Sequence, residues 1–470
     1  MKSIVWIRNN LRLSDNYSLT EAAREGAVLP VYLWDPSLDI PPDGARKWWR
    51  QGSLRALASG FERYGVRMCL LRGSAEEILP ALARRSRIGT IRACEGRTLP
   101  ERQQDERVER ALSDQGIRFV RDPDDYLVTP DFFPEGRKDP WKIFTPFWRR
   151  IRAELLPERP LPAPSRIDGV PVKNGDSLEE WGWDPDWAKT MRTLWTPGEA
   201  SAARRLDEFV TRELHGYAVR RDFPLEGGSS RLSPHLADGE VSQRQIWWKV
   251  EEAGAPGEDR EKFLSEIGWR EFSAHLLRHF PDLAELPLRT EFLSYPWKDD
   301  GPEIAAWQRG ETGYPIVDAG MRELRLTGWM PNRVRMVAAS FLVKNLGVSW
   351  KAGLSWFADN LIDYDPASNA ASWQWVAGCG TDAAPFSRVF NPVLQGERFD
   401  PRGEYVRRFI PELSGVPDRF VHTPWLFREH HLSTPPGGAE VLPGQGAWAF
   451  CRHPPAVTSV FRFPEIEKSY

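Results

Sequence analysis

Five short runs rich in β-branched and aliphatic residues recur through residues 1–130: Ile4–Ile7, Val28–Leu33, Arg67–Leu71, Thr90–Ala93 and Arg118–Val120. Amphipathic, charge-rich stretches such as Trp49–Tyr64 and Arg102–Leu112 lie between them. Strands separated by helices are too far apart in sequence to pair through tight hairpins. The pattern therefore predicts a parallel five-stranded sheet with helices on both faces. No G-x-G-x-x-G follows the first run, so the usual dinucleotide site of such sheets is not expected there.

The alternation stops near residue 130. Pro157, Pro160, Pro162, Pro164 and Pro171, with Gly169 and Gly175, mark 131–196 as a long connector. From 197 to the end helical patterns dominate: Ser201–Leu214, Gln243–Glu252, Lys262–Phe280, Pro315–Leu326 and Asn332–Leu346, with Pro331 suited to opening the last of these. A chain of 470 residues exceeds one ordinary core. The expected fold is a Rossmann-like α/β domain over 1–130, a linker over 131–196 and a larger all-α domain over 197–470.

Composition narrows the function classes. Hydrophobic residues at 41% beside 27% charged residues describe a globular chain. No run reaches the roughly 18 apolar residues of a membrane span. The N-terminus enters Ile4-Val5-Trp6-Ile7 with no charged-then-apolar leader. Cys69, Cys94, Cys379 and Cys451 form no CxxC pair, which disfavours disulfides and a metal site and fits a reducing cytoplasm. A net charge of −3 does not announce a nucleic-acid binder, although a local basic face would suffice for one. Tryptophan is the outlier, with 22 residues, several of them beside Arg, Asn or Asp.

Four segments of the helical part carry chemistry. Tyr217-Ala218-Val219-Arg220-Arg221-Asp222-Phe223-Pro224 precedes Gly228-Ser229-Ser230-Arg231-Leu232-Ser233-Pro234, a loop whose hydroxyls, amides and Arg231 can hold phosphate oxygens. In Glu266-Ile267-Gly268-Trp269-Arg270, the residues Glu266, Trp269 and Arg270 share one helix face, a carboxylate and an aromatic plate suited to lining a base-sized pocket. In Asn332-Arg333-Val334-Arg335-Met336, Asn332 and Met336 face one way, while Arg335 needs a partner, for which Asp363 is the candidate. Finally, Asp363-Tyr364-Asp365-Pro366-Ala367-Ser368-Asn369-Ala370-Ala371-Ser372-Trp373-Gln374-Trp375 packs two carboxylates, an amide and two indoles together. A core has little use for that mixture; a flat redox-active ring system does. Residues two apart on a helix point about 200° apart, so Trp375 is assigned to the substrate pocket and Trp373 to the ring.

This order, D-x-D, then N, then W-x-W, resembles the flavin-cradling segment of the DNA photolyase/cryptochrome family, and the set as a whole is closest to its cyclobutane pyrimidine dimer photolyases. The resemblance is strongest from 217 to 398 and includes Arg12-Leu13-Ser14-Asp15-Asn16 near the start. It implies FAD held by Tyr217, Ser229, Ser230, Arg231, Leu232, Ser233, Arg335, Asp363, Asp365 and Asn369. It implies that Glu266, Trp269, Asn332, Met336 and Trp375 receive a flipped dimer, with Arg270 and Arg333 also at the DNA. Trp373, Trp350 and Trp297 match the tryptophan wire that photoreduces the flavin. The implied activity is light-driven splitting of pyrimidine dimers in UV-damaged DNA by a monomer, with methenyltetrahydrofolate preferred to a deazaflavin as a second chromophore. Asn332 and Met336 stand where (6-4) enzymes carry two histidines, and Asn369 where plant-type cryptochromes carry an acid.

Some positions depart from the family pattern. Arg8-Asn9-Asn10-Leu11-Arg12 lacks an acid at Asn10, the stretch Ala93–Arg97 lacks the aromatic–Asn pair of many relatives, and Ser387 replaces an aromatic. The tail beyond about 430 lacks the expected basic helix. A flavin photoreceptor without repair activity is the alternative; an electron-transfer flavoprotein, whose α/β domain is similar, is the third reading.

Overall fold

The computed structural model describes residues 1–427, apart from 39–43, 124–125, 129–131, 133–139, 173–174, 226 and 383–388. Ser387 and the tail beyond 430 lie outside the described residues. Two compact units are present. One comprises Met1–Ala218, Ser230–Asp282 and Leu361–Ser368; the other comprises Val219–Ser229, Leu283–Asn360 and the described residues from Asn369 on.

The first unit holds a parallel sheet of β1 (Lys2–Ile7), β2 (Ala27–Trp34), β3 (Cys69–Arg72), β4 (Thr90–Cys94) and β5 (Arg118–Asp122). Their order is β3-β2-β1-β4-β5, with Ser3 of β1 opposite Val28 on one side and Thr90 on the other. All five expected strands are found, each within two residues of its expected bounds. Crossovers run through α1 (Tyr17–Glu25), α2 (Ala45–Glu62), α3 (Ala75–Ser86) and α4 (Leu99–Ser113). Because both faces are covered, β1 is apolar on both: Val5 and Ile7 join Leu19, Leu54 and Phe61, while Ile4 and Trp6 join Leu79 and Val108.

The turn after β1 is ionic and buried. Arg12, 1% exposed, donates to the carbonyls of Gly239 and Asp15, and Asp15 in turn pairs with Arg244 at 3.1 Å. Arg8 pairs with Asp105 of α4, and Asn10 accepts the Arg8 backbone N–H. Asp238 is fully buried and receives Arg46 at 2.9 Å and Arg50 at 2.6 Å, both on α2. Burial alone would raise the Asp238 carboxyl, but Arg50 and Arg46 hold it below its ordinary value.

The connector is less structureless than the sequence suggests. Within 131–196 lies α5 (Phe144–Glu154), with Phe144, Phe147, Trp148 and Ile151 all buried. Their i, i+3, i+4, i+7 spacing is that of an amphipathic helix, and the prolines that follow obscured it. In the second unit, the helix expected over Asn332–Leu346 runs from Asn332 to Ser340 and then loosens into a π-turn over Phe341–Asn345. That looser turn contains Lys344, only 2% exposed, whose Nζ reaches the carbonyl of Ala377 at 2.7 Å.

Asp238→Ala, which strands two buried guanidinium groups, is expected to destabilise the protein by about 3–5 kcal/mol. Chemical denaturation at neutral pH checks this; a change under about 1 kcal/mol would assign the pairs a surface-like value.

Candidate active site

In the first unit, the helix Gly257–His279 presents Glu266 and Trp269 one turn apart. Lys262 lies 3.1 Å from the Glu266 carboxylate, an i, i+4 pair. Trp269 is stacked on Phe144 of α5, with ring centroids 3.7 Å apart and planes 9° apart, so one indole face is already covered. A Cβ at Gly268 would overlap the Trp148 ring, which shows how closely the helix approaches α5.

Arg270, on the same helix, turns inward. Its guanidinium lies 3.1 Å from Asp365, with side chains 12% and 7% exposed. The other Asp365 oxygen receives the Ser368 backbone N–H at 2.8 Å, so Asp365 caps the helix Pro366–Ala377 that carries the W-x-W pair. Burial would push the Asp365 carboxyl up, but Arg270, the Ser368 N–H and the charge of Arg97 hold it below its ordinary value. Asp363 receives the Ser233 hydroxyl at 2.6 Å.

The serine loop is held from behind. Arg205 donates to the Ser230 carbonyl at 2.7 Å, and Leu232 is buried at 1% exposure. Arg231 adopts a left-handed backbone, φ 51°, a strained state for a side-chain-bearing residue that persists only where surroundings impose it. Tyr217 is buried edge-on against Phe209 and Phe263.

In the second unit, Asn332 and Met336 share one helix face, with Asn332 Nδ2 3.6 Å from Met336 Sδ. Arg333 pairs with Asp222 at 2.6 Å and lies over Phe399. Arg335 donates from Nε to the Met330 carbonyl at 2.7 Å. Asn369 donates from Nδ2 to the Leu354 carbonyl at 3.0 Å, which fixes the amide and leaves Oδ1 to accept an N–H. Trp373 is 2% exposed and Trp375 half-buried, as their opposed directions require. Trp350 is 2% exposed, and Trp297, partly exposed, precedes Lys298, which bridges to Val348 beside Trp350.

Two family models match: DNA photolyase over residues 3–165, and the FAD binding domain of DNA photolyase over residues 263–441. The deoxyribodipyrimidine photo-lyase of Agrobacterium fabrum is 43% identical over 429 residues, spanning 90% of this chain and 89% of that protein. The chain belongs to the DNA photolyase/cryptochrome family. A bacterial class III photolyase from Agrobacterium tumefaciens has the same fold, with a TM-score of 0.88 and 41% identity, covering 96% of this chain and 95% of that one. Cryptochrome-2 of Arabidopsis thaliana is more distant, at 33% identity over 90% of this chain and 72% of that protein.

FAD fits the donors described above. Within the first unit, the hydroxyls of Ser230 and Ser233 with Arg231 suit a diphosphate, and Asp363 suits sugar hydroxyls. Among the described residues no cluster of His, Cys, Asp and Glu could hold a metal ion, and no helix is long and apolar enough to cross a membrane. A cavity of about 1090 Å³ in the first unit, lined by Leu13, Gly60, Pro197, Glu199 and Val241 among others, contains none of the expected site residues.

Three residues escaped sequence reasoning. Phe144 backs Trp269, and only its place in the i, i+3, i+4, i+7 set of α5 could have exposed it. Gln374, fully buried between the two indoles, donates to the carbonyls of Leu283 and Leu286 and accepts from the Leu288 N–H. Gly353 lies against the Trp373 ring.

Asp365→Ala should cost about 3–5 kcal/mol at neutral pH by leaving Arg270 buried and unpaired. Because the carboxyl is held below its ordinary value, its stabilisation is full above about pH 4 and is lost as pH falls below that, toward the lowered value of the folded protein. The gap between variant and wild type should therefore shrink on acidification; unfolding titrations near pH 7 and pH 3.5 check this.

Proposed function

We propose that the protein is a light-driven DNA repair lyase, a deoxyribodipyrimidine photo-lyase that splits cyclobutane pyrimidine dimers in UV-damaged DNA. The observation that carries this reading is the likeness, over nine-tenths of the chain, to an enzyme of that name, together with Asn332 and Met336 in contact on one helix face. FAD, when bound, would supply in its photoexcited reduced form the electron for cleavage of the cyclobutane ring.

The chain's own residues do the remaining work. A dimer is poorly stacked and paired, so extruding it costs less than the few kcal/mol required for intact bases, which selects damage. Trp269, backed by Phe144, and Trp375 take the bases by stacking, worth roughly 1–3 kcal/mol per base. Glu266 hydrogen-bonds the dimer where charge develops, and Asn332 and Met336 shape the pocket. Arg333 meets the DNA from its place beside Asp222. Arg270, given to DNA by the sequence reading, is proposed instead to act through Asp365, which it neutralises. Tyr217, Ser229, Ser230, Arg231, Leu232, Ser233, Arg335, Asp363 and Asn369 hold the cofactor, and Asp365 fixes the start of the W-x-W helix. Trp373, Trp350 and Trp297 form an electron route from the surface inward.

A second chromophore is proposed to be methenyltetrahydrofolate rather than a deazaflavin. At the C-terminal ends of β1 and β4, the switch point of the strand order, Arg8 pairs with Asp105 and Arg97 reaches the Asn9 carbonyl. The protein is proposed to act as a cytoplasmic monomer, with 1–130, 131–196 and 197–470 as its working domains.

Two variants test the assignments. Glu266→Ala should lower repair while FAD content stays unchanged; loss of the yellow colour would move Glu266 to the cofactor shell. Trp350→Phe should slow flavin photoreduction while repair by chemically reduced enzyme continues. Collapse of both would remove Trp350 from the route.

A further inference from the structure

Gly353 sits within the helix Trp350–Asn360, where glycine is less favourable than alanine. A Cβ built there would overlap the Cη2, Cζ3 and Cζ2 atoms of Trp373, the farthest of them at 2.7 Å. The outer edge of the indole thus lies directly on the helix backbone, in the turn that follows Trp350. Two further rings fix its orientation. Phe357, one turn beyond Gly353, meets Trp373 edge-on at 5.0 Å, and the fully buried Trp307 does so at 6.3 Å. Trp307 cannot drift, because its Nε1 donates to the Ala338 carbonyl at 3.0 Å. A methyl at position 353 therefore has no soft neighbour to displace: the indole must shift in a cage with no room to spare.

We propose that Gly353 is a positioning residue for electron transfer: its missing side chain lets the Trp373 ring settle against the Trp350 helix. The inference rests on the reading of Trp373, Trp350 and Trp297 as an electron route. The residue touches neither cofactor nor substrate and acts through where it lets Trp373 lie.

The experiment is a double-mutant cycle on the FAD-loaded protein, using Gly353→Ala, Trp373→Phe and the pair together. Three quantities are read: the flavin photoreduction rate under blue light with an external thiol donor, repair by chemically reduced enzyme, and Tm. Gly353→Ala is expected to slow photoreduction severalfold, because electron tunnelling weakens with each added ångström, while repair by prereduced enzyme changes less than about twofold. Its Tm should fall, although alanine is the better helix former. Phenylalanine lacks the ring atoms that the methyl would strike, so Gly353→Ala should cost no Tm in the Trp373→Phe background.

Photoreduction of Gly353→Ala at the wild-type rate would overturn the proposal, as would an equal Tm loss in both backgrounds. If Gly353→Ala alone fails to accumulate as a flavoprotein, the double variant should regain FAD; an equal defect in both contradicts the proposal. Failure of the underlying route looks different: Trp373→Phe alone would then photoreduce like wild type.

Discussion

The buried ion pair between Arg270 and Asp365 is the interaction on which the candidate site depends. A carboxylate taken from water raises its own energy by several kcal/mol unless a partner and further hydrogen bonds satisfy it. Asp365 meets that requirement twice, through Arg270 and through the Ser368 N–H. In doing so it joins the helix Gly257–His279 to the first turn of the helix Pro366–Ala377. The same demand shapes the rest of the first unit. Asp238 with Arg46 and Arg50, Asp15 with Arg244, and Arg8 with Asp105 each bind a loop or strand end to a helix distant in sequence.

Charge also brackets the W-x-W helix. Asp365 stands at its N-terminus, and Lys344 donates to the Ala377 carbonyl at its C-terminus. Each sign is the one that the helix dipole favours. Between these ends Gln374 spends its whole amide on the 283–288 backbone, and the two indoles project to opposite sides. Photochemistry by electron transfer needs aromatic groups at fixed separations more than it needs a nucleophile or a metal. A helix held at both ends and in the middle supplies that fixity.

Much of this was legible in the sequence. The strands were read because β-branched residues buried on both faces leave unbroken apolar runs. The Asn332–Met336 face and the opposed directions of Trp373 and Trp375 followed from helical periodicity. What stayed hidden depends on contacts between residues far apart in the chain. Nothing local marks Asp105 as the partner of Arg8, or Phe144 as the plate behind Trp269. The helix face of Arg270 is legible in the sequence, but its partner Asp365, nearly a hundred positions on, is not. Gly353 and Gln374 are ordinary in sequence and become meaningful only against the ring and the carbonyls beside them.

The most direct test is repair of a thymine-dimer oligonucleotide by the purified, chemically reduced protein under blue to near-ultraviolet light, with an identical sample kept dark. Intact thymines should be restored in the light and not in the dark. A protein that binds FAD and the damaged strand yet restores none in the light would contradict it, and would make the photoreceptor reading the better one.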